Sequence, residues 1–189
     1  MNLLYAGNYT NRFTSILAAL KNKGVSSVVE LCFGDVIIAE YCKTNHIQWQ
    51  GFDLNDSFVK YARNKGYAAE LADVVKKEDF PAADIYIIAG SLYHFTRPEL
   101  KQLLTKILLQ TNLLIISEPV KNISSNKGLV GDLARRLSRT SKNEVSFRYT
   151  HESLSGALED LKTDLDFNFK TIGYIKKDLV ILIEKNGRA

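Results

Sequence analysis

Short continuous apolar runs alternate along this chain with longer stretches in which apolar residues return every three or four positions. Runs of the first kind suit strands buried on both faces, and stretches of the second kind suit helices with one buried face. Residues 8–20 place Phe13, Ile16, Leu17 and Leu20 on one helical face, and residues 21–24 end that helix. Val28 and Val29 open a strand that ends on Glu30. Residues 31–35 form a tight turn and residues 36–45 a helix. A second strand over residues 47–52 ends on Asp53. Asn55 or Asp56 caps a helix that runs through Phe58, Val59, Tyr61 and Ala62 and stops at Gly66. Strands over 67–71 and 84–89 follow, with a polar loop or a single helical turn at 76–81 between them. After the loop 90–95, Thr96-Arg97-Pro98-Glu99 reads as a capping box with proline in the first turn. It opens a helix with Leu100, Leu103, Leu104, Ile107 and Leu108 on one face. A fifth strand, 113–117, closes on Glu118-Pro119.

The pattern breaks over residues 120–148, which read as a basic insertion over the carboxyl edge of the sheet, with a short helix around 129–137. Thr150 caps a last helix, 151–161. Strands 167–174 and 179–184, joined by Lys176-Lys177-Asp178, form a hairpin. The expected fold class is α/β: a mostly parallel sheet between helices, with an antiparallel hairpin at its C-terminal edge. No internal repeat, low-complexity tract or linker interrupts the chain. It is expected to form one domain, residues 1–189, with residues 1–24 as an N-terminal helical segment and 120–148 near the substrate side.

One stretch carries chemistry. Residues 26–56 run strand, turn, helix, strand, with Glu30 and Asp53 at the strand ends. This is half of a nucleotide-binding α/β unit. A turn at the carboxyl end of a strand lets a ligand approach backbone N–H groups at a helix N-terminus. An acid about 20 residues on, closing the next strand, accepts hydrogen bonds from ribose hydroxyls.

Composition narrows the classes. With 189 residues, 46% of them hydrophobic and 24% charged, the chain matches an ordinary globular protein long enough to bury a core. No apolar run approaches the ~20 residues that cross a bilayer, and the N-terminus lacks the basic and apolar regions of a secretory signal. The two cysteines, Cys32 and Cys42, are too few for a disulfide framework, and a cytoplasmic location is expected. No Cys or His pair has metal-ligand spacing. The net charge of +4 allows an anionic substrate without demanding nucleic acid.

Five strands alternating with helices, then a helix and a closing hairpin, resemble the class I S-adenosylmethionine-dependent methyltransferase family, with its three-layer Rossmann-like sheet. The resemblance covers residues 28–184. In that family the first strand ends in an acid followed by a glycine-rich turn. Here the stretch is Glu30-Leu31-Cys32-Phe33-Gly34, with Cys32 at the first glycine position and Gly34 at the second. The resemblance implies S-adenosylmethionine as cofactor. Glu30 would orient the turn and face its amino-acid end, and Gly34 would allow its close approach. Asp53, with Leu54 beside it, would hold the ribose. Asp73, in the run Ala72-Asp73-Val74, would read the adenine amine. Ala89, Gly90 and Ser91 would complete the cofactor site after the fourth strand. Cys32 brings a Cβ, which resists the positive φ that glycine adopts freely. A nicotinamide dinucleotide fits less well, because of the three glycines of its fingerprint only Gly34 is present.

The resemblance also implies direct methyl transfer. His94 is the candidate general base, by its loop position and accessible pKa, and Tyr93 a candidate lining residue; each can equally be a loop-packing residue. Glu118 and Tyr9 are candidate acceptor-binding residues. Arg135, Arg136 and Arg139 fall partly on one helical face and can hold an acidic acceptor or form a solvated face. The expected partner is a small-molecule acceptor, and an anionic one is allowed. Ala89-Gly90-Ser91-Leu92 stands where DNA amino-methyltransferases carry Asn/Asp-Pro-Pro-aromatic, so DNA is not expected; RNA stays open, and no membrane partner is expected. The competing expectations are a methyltransferase-like scaffold without catalysis and, more weakly, a nicotinamide-dependent reductase.

Overall fold

The computed structural model describes residues 11–120, 149–175 and 178–187. In chain order the elements are α1 (Asn11–Lys23), β1 (Ser27–Leu31), α2 (Ile37–Thr44), β2 (Gln48–Asp53), α3 (Asp56–Asn64), β3 (Ala68–Leu71) and β4 (Ile85–Ala89). A 3₁₀ turn (Leu92–His94), α4 (Arg97–Gln110), β5 (Leu113–Pro119), α5 (His151–Leu165), β6 (Phe167–Ile175) and β7 (Asp178–Lys185) follow. The strands form one sheet in the order β3-β2-β1-β4-β5-β7-β6. The first five run parallel, and β7 is antiparallel to both β5 and β6.

Alternation along the strands divides the core into two layers. Val29, Leu31, Tyr86, Ile88, Leu114 and Ile116 face α4 and α5, where Leu100, Leu103, Leu104, Ile107, Leu154 and Leu158 meet them. Val28, Ile85, Ile87, Ile115, Val180 and Leu182 face the other way, onto Phe13, Ile16 and Leu20 of α1 and Ile38 and Cys42 of α2. The result is the three-layer α/β sheet with an antiparallel C-terminal edge that the pattern predicts.

Several element ends differ from expectation. The helix expected over 8–20 runs on through Lys23, and Gly24 (φ +60°) ends it in the left-handed region. The last helix continues a turn past Leu161 to Leu165, and Asp166 ends it at φ +52°. Asp84 lies outside β4. Its carboxylate accepts from the backbone N–H of Ser26 (2.7 Å) and Ser27 (2.9 Å), joining the starts of β1 and β4. Asp178 belongs to β7 rather than to the hairpin connection. The connection between β3 and β4 is a loop, as the polar stretch allowed, opening with a turn in which Lys77 N donates to Asp73 O at 2.8 Å. Within it Phe80 packs inward, its ring meeting Phe52 at 5.4 Å and Tyr86 at 6.5 Å. Lys106 holds this loop by donating to the carbonyl of Lys77 (2.8 Å).

From β1 the chain goes to β2 and β3 on one side, and β4 and β5 lie on the other. The reversal of direction leaves a crevice outside the carboxyl ends of β1 and β4, where open α/β sheets bind ligands.

Candidate functional site

Glu30, one residue before the end of β1, is 1% exposed. Its Oε2 accepts from Trp49 Nε1 at 2.9 Å, while Oε1 is buried without a hydrogen-bond partner. Trp49, the chain's single tryptophan, reaches this position because Gly51 carries no side chain. A Cβ at Gly51 would lie 2.2 Å from the Trp49 ring and 2.7 Å from Phe33. Burial pushes the Glu30 carboxyl well above the usual carboxylate range; the Trp49 hydrogen bond opposes this, and the charges of Asp35 and Asp53 add to it.

Asp53 closes β2 and reaches back across the turn. Its Oδ2 accepts from Gly34 N (3.0 Å) and its Oδ1 from Asn55 N (2.8 Å). Burial raises its carboxyl, and the backbone donors Asn55, Gly34 and Leu54 oppose the rise. One side chain thus clips the β1–α2 turn to the entry of α3, and Asn55 caps that helix by accepting from Ser57 N at 2.9 Å. Beside it, Leu54 is 65% exposed and Leu71, at the end of β3, is 50% exposed. They leave apolar surface at the mouth of the crevice. Asp73 Oδ1 accepts from Val75 N (3.1 Å), and Oδ2 pairs with Lys76 (3.1 Å). Partial burial acts against the ionised form of Asp73, but Lys76 and the backbone donors hold it below the usual range.

On the β4 side, Ser91 Oγ lies 3.5 Å from the carbonyl oxygen of Cys32, so the two loops meet across the crevice. Gly90 takes φ +71°, and a Cβ there would lie 2.3 Å from Arg12 Nη1. Arg12, from the first turn of α1, ion-pairs with Asp178 at 2.8 Å. The turn Leu92–His94 follows, with the rings of Tyr93 and His94 4.0 Å apart. Glu118, fully buried near the end of β5, accepts from Leu92 N at 3.0 Å and so anchors that turn. Tyr149 is buried in the same layer. Burial raises its hydroxyl, the Glu118 charge adds to the rise and that of Arg97 opposes it.

No family model matches the chain, and no curated protein matches it in sequence. Solved structures do match its fold. A methyltransferase from Clostridium acetobutylicum that depends on S-adenosylmethionine superposes with a TM-score of 0.69 at 10% identity, over 98% of this chain and 96% of that one. One from Archaeoglobus fulgidus gives 0.61 at 18%, over 96% and 99%. Human N-acetylserotonin methyltransferase in complex with S-adenosylmethionine gives 0.65 at 20%, over 96% of this chain but only 53% of that protein. The chain has the class I methyltransferase fold.

Within this methyltransferase fold the sequence candidates fall into two groups. Glu30, Cys32, Gly34, Asp53, Leu54, Ala72, Asp73 and Val74 lie at or just beyond the ends of β1, β2 and β3, and Ala89, Gly90 and Ser91 at the end of β4. Tyr93 and His94 lie in the turn beyond β4, and Glu118 near the end of β5. Tyr9, Arg135, Arg136 and Arg139 lie outside the described residues. Among the described residues no cluster of His, Cys, Asp or Glu could hold a metal, and no helix is long and apolar enough to cross a membrane. Sequence reasoning missed Trp49, Arg12 and Tyr149. A glycine inside a predicted strand, Gly51, is the one local signal of close packing that pointed toward Trp49.

Cys32 keeps the glycine conformation. It sits at φ +55°, with its N–H donating to Phe52 O at 2.7 Å. Burial, and then the charges of Asp53, Asp73 and Glu30, push its thiol far up, so it stays protonated and is a poor nucleophile. The left-handed conformation costs a residue with a Cβ about 1–2 kcal/mol. Cys32→Gly is therefore expected to exceed Cys32→Ala in unfolding free energy by about 1 kcal/mol, read by urea denaturation. Equal stabilities would mean that the turn relaxes around a Cβ without strain.

Proposed function

We propose that this chain is an S-adenosylmethionine-dependent methyltransferase acting on a small molecule. The observation that carries the reading is Glu30 Oε1, a buried acceptor without a hydrogen-bond partner at the switch point of the sheet. A buried acceptor left unsatisfied costs about 1–3 kcal/mol, so a donor is wanted there. The ammonium at the amino-acid end of the cofactor is such a donor. The surrounding residues fit the rest of the molecule. Asp53 Oδ2 accepts from Gly34 N and Oδ1 from Asn55 N, and each oxygen has a second lone pair for a ribose hydroxyl. Leu54 and Leu71 offer apolar surface to an adenine, with Asp73 close by in sequence. Solved structures of the same fold in complex with S-adenosylmethionine support the reading.

When bound, the cofactor would supply an electrophilic methyl group on a positively charged sulfur. The chain's part is to hold the acceptor in line, exclude water and take a proton where the acceptor must lose one. His94 is our candidate for that proton. It is exposed on a turn that Glu118 anchors from beneath, with the Tyr93 ring tilted against it. The anionic acceptor remains part of the proposal through the basic residues of 120–148.

Calorimetric titration with S-adenosylmethionine and S-adenosylhomocysteine, with NADH as control, tests the reading. Saturable binding of both sulfur ligands and none of NADH is the expected result. Fluorescence should report the same event, because the single tryptophan donates to Glu30. Binding of NADH alone would favour a reductase, and binding of none a scaffold without catalysis.

A further inference from the structure

Among the described residues, the charged groups around Glu30 are acids, with no matching cation. Asp35 and Cys32 face it from the β1–α2 turn, Asp53 and Trp49 from β2, and Cys42 from α2. Among the described residues, none of the ion pairs involves Glu30, Asp35 or Asp53. An ionised Glu30 would have one hydrogen bond, one bare buried oxygen and two carboxylates nearby. A buried charge in that position is relieved by a proton or by a cation.

We propose that Glu30 is a proton-exchange site: it holds a proton in the free protein and surrenders it when an ammonium-bearing ligand enters the crevice. The proposal rests on the cofactor reading above and goes beyond it, since it couples capture of the ligand to proton release. The exchange balances. The carboxylic acid and the ligand's ammonium become a carboxylate–ammonium pair, and one proton passes to the buffer. Affinity must then rise with pH, up to tenfold per pH unit, wherever free Glu30 is protonated and the ligand amine is still charged. It levels off once Glu30 ionises in the free protein. Asp53 is also raised, but it faces the ribose end, so a ligand with ribose and no ammonium reports Asp53 alone.

The test titrates S-adenosylhomocysteine into the full chain below neutrality, in phosphate and in bis-Tris, which both buffer there and differ widely in heat of protonation. The apparent binding heat is expected to differ between buffers by about one proton's worth per ligand bound. For 5′-methylthioadenosine, which lacks the amino-acid end, the difference should be much smaller. In Glu30→Gln the difference for S-adenosylhomocysteine, and its pH dependence, should fall to those of 5′-methylthioadenosine. The amide mimics the protonated acid, so this variant is expected to fold; if it does not, the thioadenosine comparison decides alone. Binding of S-adenosylhomocysteine with equal heats in both buffers, or with the same buffer dependence for 5′-methylthioadenosine, overturns proton exchange while leaving the cofactor site standing. No binding of either ligand overturns the cofactor reading, and the proposal with it.

Discussion

Asp178→Ala is expected to lower the unfolding free energy by about 3–5 kcal/mol, the largest stability loss we foresee for a single side chain away from the apolar core. Asp178 and Arg12 form an ion pair at 2.8 Å with side chains 10% and 4% exposed. Removing the carboxylate takes the Asp178 counter-charge away from a guanidinium buried in the first turn of α1. The pair joins three parts of the molecule. Arg12 comes from α1, Asp178 opens β7 opposite Pro119 of β5, and the guanidinium covers Gly90 at the end of β4. Loss of the pair should therefore loosen the first helix and the β4 loop together. Urea denaturation gives the magnitude, and protection of α1 amides from hydrogen exchange gives the location. The double variant Arg12→Met, Asp178→Leu should recover most of the loss, because two apolar side chains need no counter-charge. High salt should change little, since a buried pair is poorly screened. A loss below about 1 kcal/mol would put this pair with exposed ones and leave the packing of Phe13, Ile16 and Leu20 to hold the helix.

That pair shows where sequence reasoning ends. Arg12 and Asp178 stand 166 positions apart, and neither sits in a local pattern that announces the other. Periodicity is local, and so the elements were legible. Ile85 to Ile88 read as a buried strand and are one, and the capping box at Thr96 and Glu99 forms as written. The acids at the strand ends were legible for the same reason, since each follows its own apolar run. What each acid does with its oxygens was not. Asp53 spends one hydrogen bond on Gly34, 19 residues earlier, and Asp73 spends its own on the next turn of chain. Glu118 read as an acceptor ligand at the crevice, yet its Oε2 holds the backbone of Leu92. The partners of Asp53 and Glu118 depend on how separate strands and loops meet, which no single segment encodes. Cys32 is the reverse case. The expectation that a Cβ resists positive φ was sound physics, and the turn adopts φ +55° regardless because Phe52 and Asp53 bind it on both sides of that residue.

Asp53→Ala is expected to weaken S-adenosylhomocysteine binding by at least about a hundredfold, or about 2.8 kcal/mol. Two hydrogen bonds from ribose hydroxyls to a charged acceptor, each contributing about 1.5–3 kcal/mol, account for a loss of that size. The substitution also strips acceptors from Gly34 N and Asn55 N, so part of the loss could come from a loosened turn rather than from a missing contact. A thermodynamic cycle separates the two. A ligand whose ribose lacks both hydroxyls is compared with the intact ligand, in the wild type and in Asp53→Ala. If Asp53 holds the hydroxyls, the wild type should prefer the intact ligand strongly and the variant should hardly distinguish them. If Asp53 acts only through the turn, both ligands should lose the same factor in the variant. Asp53→Asn sharpens the comparison, since its amide keeps one acceptor and sets an N–H donor against a backbone donor. It should therefore bind no better than Asp53→Ala. Unchanged affinity in both variants would remove the ribose contact from the site and leave the cofactor reading to stand on Glu30 and Asp73.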